Sequence, residues 1–490
     1  MTLSVIGGSS IIGVTRRSCD VVVVGSGGGG APTALELASA GLDVIILEAG
    51  PWVKPEEFSQ RVLDSVRRVY VDKGGQQTAN GLVAILQGSC VGGSTVVNAE
   101  VCFPIPDHVL SEWSRDYGVR GMDPATMAPV FDEVMTHINA TTNTEHYMNA
   151  GKLVRAGFDA LGLDAQPAKR SVKGCKGCNY CFFGCAYGCK QSMDQSYLPR
   201  AVAAGATLYD EARVETIDRD GGLVRGVTAR TPYGSLKVEA SAVVLACGAI
   251  ATPLLLQDNG LGGPKVGHHL ALHPVLGPFG FYDEEHDQSP NAMIPFYSKA
   301  YEQEGFLLEV FSTPLEFFAP FVPGFGAEHR ALVRDMKRYG GVGAIVRDSP
   351  GPGRVYRNKK GRKVIDYDFT PDIVARVRRA IRRVTEIHFA AGARKVVLPT
   401  LDLQMLTPGD DLSIIDRLRI GAADTNYVSY HPQGTARMGE VTDSDARVNG
   451  TDNLYVMDTS LFPTPVGVNT QVPVMGVATH MARKLAARMR

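Results

Sequence analysis

Residues 19–50, CDVVVVGSGGGGAPTALELASAGLDVIILEAG, decide the fold. Asp20 leads into Val21 to Val24, an apolar run long enough for a buried parallel strand. Gly25, Gly27 and Gly30 follow at G-x-G-x-x-G spacing, then a helix-like segment (Ala34, Leu35, Leu37, Ala38) and a second apolar run, Val44 to Leu47, closed by Glu48. Each part has a physical task. Gly25 makes a tight turn, Gly27 lets backbone approach a pyrophosphate, and Gly30 lets helix pack on strand. The helix N-terminus receives the negative charge, and Glu48 stands where an acid accepts hydrogen bonds from a ribose diol. The stretch reads as a dinucleotide site in an α/β, Rossmann-like domain. It does not separate FAD from NAD.

A chain of 490 residues buries enough surface for two domains. Fifty basic residues against 51 acidic ones give a net charge of −1, which offers nothing to a nucleic acid. No apolar stretch approaches the roughly twenty residues of a membrane span. In the opening MTLSVIGGSSIIGVTRRS the apolar residues precede Arg16-Arg17, the wrong order for a secretory or twin-arginine signal. Five of the nine cysteines crowd into residues 175–189 and the others are scattered, unlike a disulfide framework. The expected location is cytoplasmic.

Downstream, residues 51–80 read as a mostly polar, helical connection. Residues 86–103, LQGSCVGGSTVVNAEVCF, bring a second glycine-rich turn with Gly88, Gly92 and Gly93, small enough to let backbone approach a flat ligand. Apolar spacing at Met127, Val130, Phe131, Val134 and Ile138 predicts helix across 125–165. Residues 223–230 and 235–238 alternate like a hairpin, and Ala242 to Ala246 form a buried strand running into a helix start at Gly248. From about Leu272 the chain alternates like an antiparallel sheet rich in phenylalanine, predicting a second, α+β substrate domain over 272–424. The dinucleotide-binding domain would then comprise 1–271 and 425–490. The 274–326 aromatics are either core or the lining of an apolar substrate site. Helix 371–391 carries a basic face (Arg376, Arg378, Arg379, Arg382, Arg383), either solvated or a docking surface.

Taken in order, these segments resemble the glucose–methanol–choline (GMC) family of FAD-dependent oxidoreductases. The resemblance rests on GSGGGG with Glu48, GSCVGGSTVVN with Trp113, the Tyr197-Leu198 segment with Val214, and ACGAIATPLLL at 246–256. It closes on HPQGTARMG at 431–439, NLYVMDTSLFP at 453–463 and GVNTQVPVMGVA at 467–478. It implies FAD rather than NAD. Gly25, Gly27 and Gly30 would hold its pyrophosphate, Glu48 its ribose and Val214 its adenine. Gly92, Gly93 and Asn98 would line pyrophosphate and flavin, with Asp458 near the ribityl chain. Val97 occupies the place where some members carry a histidine bonded to the flavin, so the FAD is expected to be non-covalent. The family arginine expected after Asn98 is replaced by Cys102-Phe103-Pro104.

The implied reaction is oxidation of an alcohol to a carbonyl, with hydride passing to flavin N5 and a base taking the hydroxyl proton. His431 matches the family base and Asn469 its partner, an amide that orients the substrate oxygen. Thr470 and Pro473 depart from the usual residues beside that Asn. His268, His269 and His273 do not share one face, and His273 reads as structural. Cys175, Cys178, Cys181 and Cys185 follow C-x2-C-x2-C-x3-C, the spacing of bacterial ferredoxins. The loop is similar to one binding a three-iron cluster in certain sugar dehydrogenases of the family. Iron–sulfur, structural zinc and an unligated or disulfide-bonded loop all remain open. So do the acceptor (a carrier or oxygen), a sugar instead of an apolar or alicyclic alcohol, and a non-redox lyase or decarboxylase on the same fold. A flavin-stabilised electron carrier or binding partner is a further class.

Overall fold

The computed structural model describes residues 3–142, 149–285, 291–348, 351–425 and 427–490. The valine run does form a buried strand, but the strand begins earlier, at Ile12, and runs to Val24. Its first half is exposed and carries Arg16-Arg17 in the sheet ladder, whereas Val21, Val22 and Val23 are fully buried. They lie between two parallel neighbours, Val44–Leu47 and the distal half of Tyr233–Leu245. Full burial of each such valine stabilises the fold by about 1.5–3 kcal/mol. The remaining strands extend this sheet: Thr207–Tyr209 at one edge, Leu454–Val456 beside Val243–Leu245, and the antiparallel pair Leu223–Arg230 and Arg213–Asp220 at the other edge.

Residues 233–245 are one continuous strand, not a hairpin arm followed by a separate buried strand. Its exposed half pairs with Leu223–Arg230 and its buried half with the parallel core, so one strand carries two hydrophobic patterns. That change of pattern is what made it read as two. The connection at 51–80 is only partly helical, with Val62–Val69 the one α-helix in it. Helix Pro124–His137 ends before a short strand, Ala140–Thr142, and a further helix begins at Asn149; positions 143–148 lie outside the described residues.

The antiparallel sheet expected beyond Leu272 is present, apart from 286–290, which lie outside the described residues. Its centre is Tyr339–Val346, flanked by Phe306–Phe311 and Phe279–Phe281. It also takes in Val83–Ile85 and Tyr427–Ser429, which pair in parallel, so both flanking segments of the chain feed this sheet. Helix Pro371–Ala390 packs on one face through Ile373, Val377, Ile381 and Val384. Arg379 is exposed, and the other four arginines of the basic face are tied down. Arg376 donates to Arg347 O, Arg378 to Leu418 O and Arg382 to Leu412 O, while Arg383 pairs with Glu304. The opposite face of the sheet looks toward the glycine turns. Among the described residues no helix is long and apolar enough to cross a membrane.

Candidate active site

A cavity of about 1210 Å³ runs between the two sheets. Gly25, Gly27, Glu48, Gly93, Asn98, Val214, Asp458, His431 and Asn469 all line it. Gly30 and Gly92 stand just behind. A Cβ on Gly30 would lie 1.9 Å from Gly25 O, so helix and strand approach closely there. Gly92 N–H donates to Ser26 Oγ at 3.0 Å. The two glycine turns touch each other: a Cβ on Gly93, whose φ is +56°, would sit 2.9 Å from the Gly27 Cα.

Glu48 ties these turns together. One of its carboxylate oxygens accepts from Ser26 N at 3.0 Å and Ser26 Oγ at 2.7 Å, and the other accepts from Gly50 N at 2.9 Å. Burial pushes its carboxyl upward against these bonds. Asp458 is held comparably, accepting from Gly248 N, Thr252 Oγ1 and both N and Oγ of Ser460. It therefore clamps the start of helix Gly248–Asp258 against the segment that leads to the active end. Val214 lies on the Arg213–Asp220 strand, where the ladder shifts register just after it.

The second glycine loop is braced from behind by a residue that the motifs did not reveal. Lys190 is buried, and its Nζ donates to Val96 O at 3.0 Å, Asn98 O at 2.7 Å and Cys181 O at 2.9 Å. Asn98 in turn donates to Gln471 Oε1 at 2.9 Å, which joins the loop to the start of the C-terminal helix. Tyr70 Oη reaches Phe182 O at 2.7 Å beside the apolar Val97. Trp113 is fully buried and donates to Thr464 Oγ1 at 2.9 Å, fixing the strand-to-helix segment that carries Asn469.

At the other end of the cavity, His431 is buried and its Nδ1 has no hydrogen-bond partner among the described residues. Burial pushes the ring down to about 4, so the imidazole is neutral at pH 7 and free to accept a proton. His273 packs edge-on against it, ring centroids 5.6 Å apart. It is structural: its Nε2 accepts from Gly467 N at 3.1 Å, and Gln433 bridges it to His431 O. Asn469 stands beside Glu309, a buried carboxyl on strand Phe306–Phe311 whose upward shift it partly offsets. The only sequence signal for Glu309 was a lone acid inside an otherwise apolar run, FLLEVF. Around this end stand Phe279, Phe311, Phe317, Phe318 and Phe321. Phe281, Phe296 and Phe306 are core and Phe325 is exposed, so the aromatic segment divides between core and cavity wall.

The residues present suit an FAD. Two abutting glycine turns open one end of a cavity larger than a single small molecule requires, and the polar residues His431, Asn469 and Glu309 line the other end. The cysteine loop is different. Cys175, Cys178, Cys181, Cys185 and Cys189 line a second cavity with Glu100, Arg170 and Lys190, but its volume is about 20 Å³. That is room for about one water, and among the described residues no three His, Cys, Asp or Glu side chains are arranged to hold a metal ion. Burial pushes the Cys178 and Cys181 thiols up, and Cys189 to about 11. In this geometry the loop does not fit an iron–sulfur cluster. It does reach the main cavity, where Phe182 stacks on Tyr430 at 5.0 Å.

The profile of the GMC oxidoreductase family matches residues 66–275 (N-terminal part) and 352–478 (C-terminal part), and an FAD-binding-domain profile matches 20–55. An uncharacterised GMC-type oxidoreductase of Mycobacterium tuberculosis is 34% identical over 97% of this chain and 77% of its own length. A long-chain-alcohol oxidase of Arabidopsis thaliana is 29% identical over 96% of this chain and 68% of its own. Pyridoxine 4-oxidase superposes with a TM-score of 0.74 at 19% identity, covering 95% of this chain and 99% of that one. Together with the paired glycine turns and the cavity they open, these matches show that the chain belongs to the GMC oxidoreductase family of FAD-dependent enzymes.

Proposed function

We propose that the protein oxidises an apolar primary alcohol, of the long-chain kind, to the aldehyde. The observation that carries this reading is one cavity joining the glycine turns to a neutral, buried His431 with an unpartnered Nδ1, under a cover of phenylalanines. The long-chain-alcohol oxidases among the relatives support the substrate class. FAD, when bound, supplies a hydride acceptor. Gly25, Gly27 and Gly93 would hold its pyrophosphate, and Glu48, through Ser26, would fix the turns that shape that cradle. With the apolar Val97 in place of a nucleophile, the cofactor is dissociable.

His431 takes the hydroxyl proton as the hydride leaves the adjacent carbon with its electron pair and the carbon–oxygen double bond forms. Asn469 hydrogen-bonds the reacting oxygen and sets its distance from the imidazole. Phe279, Phe311, Phe317 and Phe318 exclude water and bind the alkyl chain, at about 25 cal/mol per Å² of apolar surface buried. For reoxidation we propose direct reaction with oxygen rather than passage through the cysteine loop, whose side chains close around too little space for a cluster.

A panel of alcohols tests the reading. Anaerobic mixing with long-chain primary alcohols bleaches the flavin and short diols or sugars do not; a sugar that bleaches it faster would overturn the substrate class. No bleaching by any alcohol, with turnover of a cyanohydrin or a fatty acid, would replace oxidation by a lyase or decarboxylase. Stoichiometric hydrogen peroxide supports oxygen as acceptor. Iron and acid-labile sulfide at cluster stoichiometry in anaerobically purified protein, without peroxide formation, would contradict it.

A further inference from the structure

Strand Phe306–Phe311 alternates strictly. Phe306, Leu308 and Val310 pack in the core under helix Pro371–Ala390, and the other face carries Leu307, Glu309 and Phe311. Glu309 thereby points into the cavity shared by His431 and Asn469. Its cross-strand partner on Tyr339–Val346 is Gly343, which offers no side chain to cover it. The side chain is only 6% exposed, and its Oε1 has no partner. Asn469 turns its amide N–H toward the carboxyl, and Asn469 Oδ1 is likewise unpartnered. Each of these two residues of one cavity thus keeps a buried acceptor without a donor, and a proton shared between them would satisfy both.

The charged surroundings say when that proton is present. The strand holds no other ionisable residue, and no Lys or Arg acts on Glu309. The titratable groups that face it are Tyr430, which feels its charge, and His431, neutral above about 4; Tyr297 lies across the strand on its other side. Burial therefore lifts the carboxyl from 4.5 to about 8.

We propose that Glu309 is a positioning residue that, as the neutral acid, donates to Asn469 Oδ1 and turns the Asn469 amide nitrogen toward the reacting oxygen. The two amide ends then have opposite consequences. When the substrate hydroxyl loses its proton to His431, the oxygen gains negative charge. An N–H donor beside it stabilises that charge and a carbonyl oxygen repels it. An ionised Glu309 instead accepts from the Asn469 N–H and leaves Oδ1 facing the substrate. One proton on Glu309 thus separates a productive from an unproductive amide. This rests on the role given to Asn469 above and deepens it.

The test compares wild type, Glu309→Gln, Glu309→Leu and Asn469→Ala as FAD-loaded proteins. In wild type the anaerobic reduction rate falls about tenfold or more above pH about 8. In Glu309→Gln, whose side-chain amide still donates to Asn469 Oδ1, the rate stays within a few-fold and that fall disappears. Glu309→Leu loses about 10–100-fold in kcat with KM little changed, since the orienting bond is gone at every pH. A second readout needs no turnover. The infrared carbonyl band of a protonated carboxyl titrates near pH 8, vanishes in Glu309→Gln, and moves to higher wavenumber in Asn469→Ala, which removes the acceptor of the acid's hydrogen bond. A high-pH fall that persists in Glu309→Gln, or a band that Asn469→Ala leaves unmoved, would overturn the proposal. If no alcohol reduces the wild-type flavin, the alcohol reading fails and the infrared titration still decides the Glu309–Asn469 pair.

Discussion

Replacing Glu309 by Gln changes how stability depends on pH, by an amount set by its burial. The carboxyl titrates at 4.5 in the unfolded chain and at about 8 in the fold. Below 4.5 it is neutral in both states and contributes no pH dependence. As pH rises from 4.5 to about 8 the unfolded chain gains a solvated carboxylate that the fold withholds, and native stability falls. Above about 8 both states are ionised and the loss is complete. At about 1.4 kcal/mol per tenfold the full loss is about 5 kcal/mol, a large share of the 5–15 kcal/mol by which typical domains are stable. Gln has no such dependence and still donates to Asn469 Oδ1. Equilibrium denaturant unfolding of the two proteins, both saturated with FAD, gives the comparison. The stability advantage of Glu309→Gln over wild type grows by about 4 kcal/mol between pH about 5 and about 9. An advantage of equal size at both ends would mean that the carboxyl is solvated in the fold, and the account of this end of the cavity would fall with it.

The anaerobic reduction rate rises as pH passes about 4, since His431 must be neutral to accept a proton; a rise centred near 6.5 in a pH profile would place the ring in a wetter site than the structure gives. Lys190→Met removes three bonds from the backbone of the second glycine loop and its cysteine neighbour, and it takes one cation away from Glu100, 3.7 Å distant. The cost is about 3–5 kcal/mol, seen as a lower unfolding midpoint and, by flavin fluorescence titration, weaker FAD binding. Gly93→Ala drives a Cβ against the Gly27 Cα, so the variant folds with little or no FAD, measured as the flavin-to-protein absorbance ratio. Acid precipitation of the native protein releases all flavin to the supernatant, because Val97 offers no atom for a covalent bond.

What the sequence made legible was local. The G-x-G-x-x-G turn, Glu48 and the valine run lie within 32 consecutive residues, and their spacing carries the geometry by itself. His431 and Asn469 were found through family motifs, and the fold brings both to one cavity. Other features depend on tertiary context. Strand Tyr233–Leu245 changes partners halfway, which no period of two can signal. Glu309 is one acid in a run that reads as core, and only the sheet shows that its face is the cavity side. Lys190 sits beside the cysteines with no motif to mark it, and its ammonium is buried against carbonyls from the Val96–Asn98 segment. The cysteine spacing suggested ligands for a cluster; the fold gathers the thiols around a small space and uses their neighbour Phe182 against Tyr430.

The central claim is that His431 receives the substrate proton in a cavity holding FAD and an apolar alcohol. Stopped-flow reduction of FAD-loaded His431→Ala by a long-chain primary alcohol, beside wild type, tests it most directly. The account predicts equal flavin content and a reduction rate lower by about 10²–10⁴-fold in the variant. A His431→Ala protein that keeps its FAD and is reduced at the wild-type rate would contradict it.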